Sequence, residues 1–319
     1  MKPPQALVYL GPAGSYSEMM ALQLMQRFRV KTLIPEFSLE AVAENIKEGT
    51  WGVMAYRDSL EGLLHECLDL LCEYQLQTAA AFRLPITPSA GAFPGTLGKE
   101  GLDSYSGDIH SHRRTFRLCR QWLDNNCPKA RRVNVYSTSQ APAIVATNRQ
   151  GVAIAEVSAL RKNGLEVVQR DIASGATDFF LAAPHAENQE EQIENLPAGN
   201  YKTMIAIAPR EIGKSDFYNN IARLMANHRL EISDRTGRPA RIDDSQNSTA
   251  EFNPEEMQLF YFEVNAHKTD PKLEAFLNAA KFLPVGELRI MGSYKNTWKS
   301  EEKPSSSIMI CRQNPPTSA

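Results

Sequence analysis

The chain has 319 residues, a length typical of about two domains. Hydrophobic residues make up 42% of it and charged residues 23%, which is ordinary globular usage and excludes a largely disordered protein. The 35 basic and 37 acidic side chains give a formal net charge of -2, so no basic excess favours nucleic acid or an anionic membrane as a partner.

The cysteines and the N-terminus indicate the cellular compartment. The five cysteines form no C-x-x-C pair, and their odd number argues against a disulfide framework or a zinc site. The residues after Met1 lead into a short strand-like run and not into the apolar region of a signal peptide. No apolar stretch approaches the roughly 20 residues of a membrane span. We therefore expect a cytoplasmic protein.

Strands and helices alternate through the first part of the chain, which predicts an α/β fold. The expected elements lie, in order, at 6–10, 17–28, 32–34, 38–46, 52–56, 60–71, 114–123, 132–136, 141–146, 151–155 and 165–168. The pattern restarts near Ile109, so residues 1–184 are expected to form two α/β lobes. The Pro/Gly-rich stretch 85–97 is the predicted crossing between the lobes.

A second unit follows a polar, acidic stretch at 185–199, which predicts a linker. The elements beyond it have the order β-α-β-β-α-β, the split βαβ plan, and lie at 202–208, 216–228, 230–232, 257–264, 271–281 and 285–291. We expect this second domain to cover residues 200–296 and to be followed by a Ser/Pro-rich tail at 297–319.

Two predicted helix starts have the composition of an anion site. Gly14 and Ser15 lie between the first strand and the first helix, where N–H groups and the helix dipole favour an anion. Ser137, Thr138 and Ser139 repeat this arrangement in the second lobe. If the two starts face one cleft, they would suit a small dicarboxylate. An ordinary strand-to-helix turn is the plainer interpretation of either one alone.

Polar side chains also gather beside two buried strands, at 57–62 and at 174–179. Residues at strand ends of an α/β sheet usually line the ligand crevice, although capping and loop solvation are the plainer roles. Asp108, His110 and His112 form a third cluster. We reject a metal site there, because the helical i, i+4 spacing and any supporting cysteine are missing.

Taken in order, these segments resemble the prephenate dehydratase family over residues 6–295. The matching stretches are 11–18 for G-P-x-G-[ST]-[FY]-[ST]-E, 52–62 for G-V-V-P-I-E-N-S-I-E-G, 111–112 for S-H-P-Q-A, 137–139 for S-T-x-E-A and 177–179 for T-R-F. Residues 202–294 resemble the family's ACT regulatory domain. The resemblance implies a two-lobed, periplasmic-binding-protein-like catalytic region with a C-terminal ACT (βαββαβ) domain. It implies no metal or organic cofactor, and a homodimer or homotetramer formed through ACT domains.

The departures from the family motifs affect charged positions. Arg57 stands at the glutamate of E-N-S, Asp58 at its asparagine and Asp178 at the arginine of T-R-F. The two charge reversals would preserve an ion pair with exchanged partners if these sites touch. Residues 88–90 replace a His-Cys-Leu segment. In the ACT-like part, residues 216–218 replace the G-A-L effector motif and Thr236 replaces the glutamate of E-S-R-P, which argues against phenylalanine feedback of the family kind.

The resemblance implies chemistry on prephenate. In the family, loss of CO2 expels the C4 hydroxyl and gives phenylpyruvate, with a threonine as hydrogen-bond donor to the departing hydroxyl and an arginine on a carboxylate. The altered motifs favour a non-aromatising prephenate decarboxylase that retains the hydroxyl, a reaction of antibiotic biosynthesis. The alternatives are a prephenate dehydratase of phenylalanine biosynthesis and a non-catalytic protein that senses a small carboxylate.

The residues expected to form sites fall into three groups. The expected catalytic residues are Thr177 as hydroxyl-side donor, Phe179 as its packing support, and Ser59. The expected substrate-binding residues are Gly14, Ser15, Arg57, Asp58, Glu61, Gly62, Ser137, Thr138, Ser139 and Asp178, with Arg57 as the carboxylate partner. The effector positions are Asp216, Phe217, Tyr218, Arg238 and Pro239.

Overall fold

The computed structural model describes residues 4–98, 101–185, 201–210, 216–239 and 257–295. The predicted tail and, apart from His185, the predicted linker lie outside these residues. The elements are β1 (Ala6–Leu10), α1 (Tyr16–Phe28), β2 (Thr32–Glu36), α2 (Leu39–Glu44), β3 (Thr50–Asp58), β4 (Gly62–Leu63), α3 (His65–Glu73), β5 (Leu76–Ile86), β6 (Ser89–Ala92), β7 (Asp108–Ser111), α4 (Arg113–Leu118), α5 (Arg120–Asn126), β8 (Arg131–Asn134), α6 (Gln140–Asn148), β9 (Val152–Ala155), α7 (Val157–Lys162), β10 (Glu166–Gln169), β11 (Gly175–Pro184), β12 (Tyr201–Pro209), α8 (Phe217–Asn227), β13 (Ile232–Pro239), β14 (Met257–Val264), α9 (Pro271–Ala280) and β15 (Val285–Lys295). Over the described ranges, no helix combines the length and the apolar character that crossing a bilayer requires.

The first lobe is built on a sheet with strand order β2-β1-β3-β11-β5, with β4 paired to β3. The expectation of two consecutive lobes is wrong in one respect, because β11 follows the whole second lobe in the chain and then returns to the first sheet. It lies antiparallel between β3 and β5. Residues 178–183 of β11 are all buried, as a strand covered on both faces requires.

The second lobe has the strand order β10-β6-β9-β7-β8. Strands β8 and β9 both run parallel to β7, so the carboxyl ends of all three lie at one edge. The predicted crossing at 85–97 is shorter in the structure and consists of Thr87 and Pro88, because β5 extends to Ile86 and β6 begins at Ser89. The single helix predicted at 114–123 is two helices that meet at Cys119. Strand β10, predicted as buried, is an edge strand with exposed ends.

The C-terminal unit, residues 201–295 as described, confirms the βαββαβ plan. Its antiparallel sheet has the order β13-β14-β12-β15. Helices α8 and α9 pack on one face through Ile221, Met225 and Phe276. The opposite face packs against the first sheet in a shared hydrophobic cluster that includes Met204, Tyr261, Met291, Met54, Tyr56 and Phe180. The first lobe and the C-terminal unit therefore share a core.

A backbone contact at Gly292 brings β15 close to β5. Gly292 has a φ of +153°, and a Cβ added there would lie 2.5 Å from the carbonyl oxygen and 2.9 Å from the nitrogen of Thr78. Real Cβ atoms do not approach backbone this closely, so any side chain at position 292 would push the C-terminal unit away from the first lobe.

We expect Gly292→Ala to lower the free energy of unfolding by about 1–3 kcal/mol, because overpacking a tight contact forces the backbone to shift. Urea or thermal unfolding measures the change. Gly98→Ala is the matched control, since no atom lies within 4 Å of a Cβ at that exposed position. Equal stability of the two variants would show that this contact does not constrain docking.

Candidate active site

The two predicted helix starts face each other across the lobes. A Cβ on Gly14, whose φ is +83°, would lie 3.3 Å from the Cβ of Ser139. Gly14 precedes α1 of the first lobe, and Ser139 is the N-cap residue of α6 in the second. The starts of these two helices therefore line one cleft, which is the condition that the dicarboxylate hypothesis required.

On the first-lobe side of the cleft, the turn before α1 uses its own polar groups. The Gly14 N–H donates to Glu18 Oε2 at 2.5 Å. The Ser15 hydroxyl accepts from the Glu18 N–H at 3.2 Å and donates to the Leu10 carbonyl at 3.2 Å. Ser15 thus caps α1. A bound anion would have to compete with Glu18 for the Gly14 N–H.

On the second-lobe side, hydroxyl groups bond mainly to one another. Ser137 Oγ accepts the Gln140 N–H at 3.3 Å and lies 3.2 Å from Ser139 Oγ. Thr138 Oγ1 lies 3.0 Å from Thr115 Oγ1 of α4. These contacts fix the segment that faces Gly14, and each hydroxyl keeps acceptor or donor capacity for a ligand.

The loop between β3 and β4 ties the two lobes together. Asp58 Oδ1 accepts the Leu60 N–H at 2.8 Å, and Gly62 adopts a φ of +74° that favours glycine. Glu61 pairs with Arg117 at 2.7 Å and with Arg114 at 3.0 Å, both on α4 of the second lobe. Because both arginines are exposed, each pair contributes at most about 1 kcal/mol. Their effect is to hold the loop against the second lobe.

Thr177 lies on the side of the first sheet that faces the second lobe. It pairs with Asp58 of β3 and with Leu84 of β5, and Ser59 holds the preceding residue by accepting the Ala176 N–H at 3.1 Å. Alternation along β11 puts the Thr177 side chain on the face of Gly175, where a Cβ would lie 3.0 Å from Leu118 of α4. In the described part of the chain, the Thr177 hydroxyl makes no hydrogen bond.

Phe179 follows on the same face as Thr177 and is fully buried. It packs in the cluster that also contains Leu7, Met20 and Phe82. This contact fixes the strand on which Thr177 lies, and the supporting role expected for Phe179 in catalysis stays a prediction.

Arg57 and Asp178 lie away from this face. The side chain of Asp178 points to the opposite side of β11 and binds Arg83 through two contacts of 2.8 and 3.1 Å. Arg57 instead reaches the C-terminal unit, where its NH2 group lies 2.6 Å from Glu263 and 2.9 Å from Asp234. The two reversed charges are cross-strand neighbours, yet each pairs with a different partner. Arg57 is therefore directed to the C-terminal unit and not to a substrate carboxylate.

A buried carboxylate at Glu263 organises this contact. Its oxygens accept hydrogen bonds from Lys202 Nζ at 2.6 Å, Tyr294 Oη at 2.6 Å and Ser233 Oγ at 2.7 Å, in addition to Arg57. Burial alone would raise the pKa of Glu263, but Arg57 and Lys202 lower it to about 2. The carboxylate is ionised and fully paired at neutral pH.

The expected effector positions belong to the C-terminal unit. Phe217 and Tyr218 are buried in its core against Phe260 and Phe262, so they act there as packing residues. Asp216 precedes α8 without capping it through its side chain, and Arg238 and Pro239 end β13. Across the described residues, no three His, Cys, Asp or Glu side chains are arranged to hold a metal ion.

Two cleft residues were not singled out from the sequence. Tyr16 begins α1 directly after Ser15, and its hydroxyl is buried without a hydrogen-bond partner among the described residues. Glu156 follows β9 at the carboxyl edge of the second sheet and accepts the Val157 N–H at 3.2 Å. The available signal for Glu156 was its place at the end of a buried strand, the same signal that drew attention to Asp58.

Two α/β lobes around a polar cleft, with a threonine on the cleft face, define a two-lobed enzyme of the periplasmic-binding-protein-like fold. The family model for prephenate dehydratase matches residues 7–185. The chain therefore belongs to the prephenate dehydratase family, and it is a lyase of that family.

Relatives extend the similarity beyond the matched region. A bifunctional chorismate mutase/prephenate dehydratase of Aquifex aeolicus (strain VF5) is 21% identical over 288 residues, which cover 90% of this chain and 73% of the relative. The structure of prephenate dehydratase from Arthrobacter aurescens in complex with L-Phe superposes with a TM-score of 0.71 at 22% identity, over 91% of this chain and 89% of that one. GqqA, described as a quorum quenching acylase, gives a TM-score of 0.65 at 18% identity, over 91% and 97% of the two chains. These structures share the fold, and the reaction has to be argued from the site.

We expect Glu263→Gln to lower the free energy of unfolding by about 3–5 kcal/mol near neutral pH, because Arg57 and Lys202 lose their buried partner. The folded-state pKa lies below the ordinary value of 4.5, so this stabilisation is present above that value and is lost as the pH falls towards 2. Urea unfolding at about pH 7 and about pH 3 should show a smaller difference between variant and parent at the lower pH.

The exposed Glu166→Gln serves as the control, and it should change stability little at either pH. A difference between Glu263→Gln and the parent that is the same at both pH values would contradict the assignment of an ionised, paired Glu263.

Proposed function

We propose that this lyase converts prephenate to phenylpyruvate, with loss of CO2 and of the C4 hydroxyl. The observation that carries the proposal is the position of Thr177, whose hydroxyl lies on the cleft face without a partner in the described residues. The reversed charges at Arg57 and Asp178 lie on the other side of the sheet. The changes in the family motifs therefore leave the hydroxyl-side donor in place.

The cleft suits a dianionic substrate with a leaving hydroxyl. The N-terminal ends of α1 and α6 meet at Gly14 and Ser139, and their dipoles favour the two carboxylates of prephenate. Thr177 would donate a hydrogen bond to the C4 hydroxyl as the C–O bond breaks. Contact between the lobes through Glu61 would exclude water from the carboxylate that is lost, which favours its release as CO2.

The non-aromatising decarboxylase remains the alternative product assignment. This reaction uses the same substrate and breaks the same carbon–carbon bond, and the altered family motifs favour it. Two of the altered positions face the C-terminal unit or Arg83. A third, the segment 88–90, includes Ser89, which is buried and accepts the Asp171 N–H at 3.1 Å in a structural role. These contacts support dehydration over retention of the hydroxyl.

We also propose that residues 1–184 form the catalytic region and that residues 200–296 form an ACT-type regulatory domain. The support is the βαββαβ topology of the described part of that domain and its connection to β3 through Arg57. Assembly into a homodimer or homotetramer through these domains stays a prediction.

Purified protein incubated with prephenate should form phenylpyruvate, read by ultraviolet absorbance and by proton NMR of the product. A non-aromatic hydroxylated dihydro product would establish the decarboxylase instead. Prephenate that binds but is not consumed would favour the sensor.

Thr177→Ala should lower kcat by about 10²–10³-fold, because a preorganised donor to the developing charge is removed. The free energy of unfolding should change by less than about 1 kcal/mol, since the hydroxyl has no partner among the described residues. Thr177→Ser keeps the donor and should retain most of the activity. An equal loss of activity and stability in Thr177→Ala would contradict the catalytic assignment.

A further inference from the structure

The charge balance of the reaction requires a proton donor. Prephenate carries two carboxylates, whereas phenylpyruvate carries one and CO2 and water are neutral, so each turnover consumes one proton. The same balance applies if the hydroxyl is retained, because a ring carbon then takes the proton. A threonine hydroxyl is too weak an acid to supply it. Given the proposed function, on which this inference rests, a group in the cleft has to act as the acid.

Most acidic groups near the cleft are committed to other partners. Glu61 is paired with two arginines of α4. Asp58 accepts the Leu60 N–H in an exposed turn. Glu18 accepts the Gly14 N–H and the Tyr9 hydroxyl. Burial, together with Arg114 and Arg113, lowers the pKa of His112, although Glu61 opposes this, so its cationic form is scarce at neutral pH.

Glu156 differs from these groups. It follows β9, whose carboxyl end lies at the same edge as those of β7 and β8, and that edge carries Ser139 and the arginines that bind Glu61. Its side chain is half-buried, with one oxygen on the Val157 N–H and no ion pair within the described residues. Burial raises the pKa of Glu156, the Val157 N–H opposes this, and the negative charge of Asp171 raises it further.

Tyr16 supplies a second O–H group from the first lobe, at the start of α1 and two residues after the Gly14 that meets Ser139. Its hydroxyl is buried and has no hydrogen-bond partner in the described chain. Burial raises the pKa of Tyr16, and the charge of Glu156 raises it further. An orphaned buried donor costs stability unless a ligand supplies the acceptor.

We propose that Glu156 donates the proton that each turnover consumes and that the Tyr16 hydroxyl binds a substrate oxygen beside it. The bond between the ring and its carboxylate breaks, and its electron pair moves into the ring. The C4–O bond then breaks, and the departing oxygen keeps that electron pair and takes the Glu156 proton to leave as water. Glu156 becomes a carboxylate and regains a proton from solvent before the next turnover.

Glu156→Gln tests the first part. The amide oxygen still accepts the Val157 N–H, so the fold should be retained, whereas kcat should fall by about 10²-fold or more with KM within a few-fold. The kcat of the parent should decline as pH rises through the pKa of Glu156, and Glu156→Gln should lose this decline. Tyr16 and Asp171 are the titratable groups whose charge or burial is coupled to Glu156. Glu166→Gln, on exposed β10, should match the parent. An unchanged kcat and pH profile in Glu156→Gln would overturn the proposal.

Tyr16→Phe tests the second part. Removing an unpartnered buried hydroxyl should leave Tm unchanged or raise it, while KM for prephenate should rise by about 10-fold, because a hydrogen bond to a charged substrate is lost. A lower Tm with an unchanged KM would make Tyr16 a packing residue and overturn its role. If the parent itself does not convert prephenate, the proposed function fails. If the parent is active and both variants match it, this inference alone fails.

Discussion

The path of β11 through the first sheet decides which residues can take part in chemistry. β11 lies between β3 and β5, and neighbouring side chains on a strand point to opposite faces, so Thr177 and Asp178 are separated by the sheet itself. One face packs against α1 and, near Gly175, against Leu118 of the second lobe, whereas the other packs against the C-terminal unit. A slip by one residue would exchange the two faces of β11. The register of Thr177 with Asp58 and Leu84 therefore fixes both the cleft and the docking surface, which is the face of the first sheet that contacts the C-terminal unit.

The docking surface depends on one fully buried charge. Glu263 could not be buried as a carboxylate without cations, because removing an unpaired charge from water costs roughly several kcal/mol per ion. Lys202 supplies one cation from within the C-terminal unit, and Arg57 supplies the other from the first lobe. Arg57 also immediately precedes the loop that carries Ser59 and Glu61. The C-terminal unit is therefore bonded to the strand that presents this part of the cleft.

Local patterns predicted much of the fold. Strand β14 at Met257–Val264 and the start of α9 at Pro271 lie where periodicity and capping placed them, and the βαββαβ order followed from those elements. The place of β11 in the first sheet could not be predicted, because most of its sequence is apolar on both faces and would fit any central strand. The partners of Arg57 and Asp178 were also hidden, because Glu263 is 206 residues from Arg57 and Arg83 is 95 from Asp178. The contact between Gly14 and Ser139 could be stated only as a condition of the dicarboxylate hypothesis. Sequence spacing does not show how two lobes meet.

Each charge reversal in the family motifs is explained by the partners that surround it in this chain. A glutamate at position 57 would lie against Glu263 and Asp234 and bring three carboxylates together in a largely buried place. An arginine at position 178 would lie beside Arg83 and leave a buried cation without its partner. Each family residue is thus incompatible with the partners present in this chain: the residue at position 57 has to match those at 234 and 263, and the residue at position 178 has to match Arg83. A substitution that looks in the sequence like the loss of a catalytic motif is, in the fold, a property of the docking surface, and the cleft face of β11 keeps its threonine.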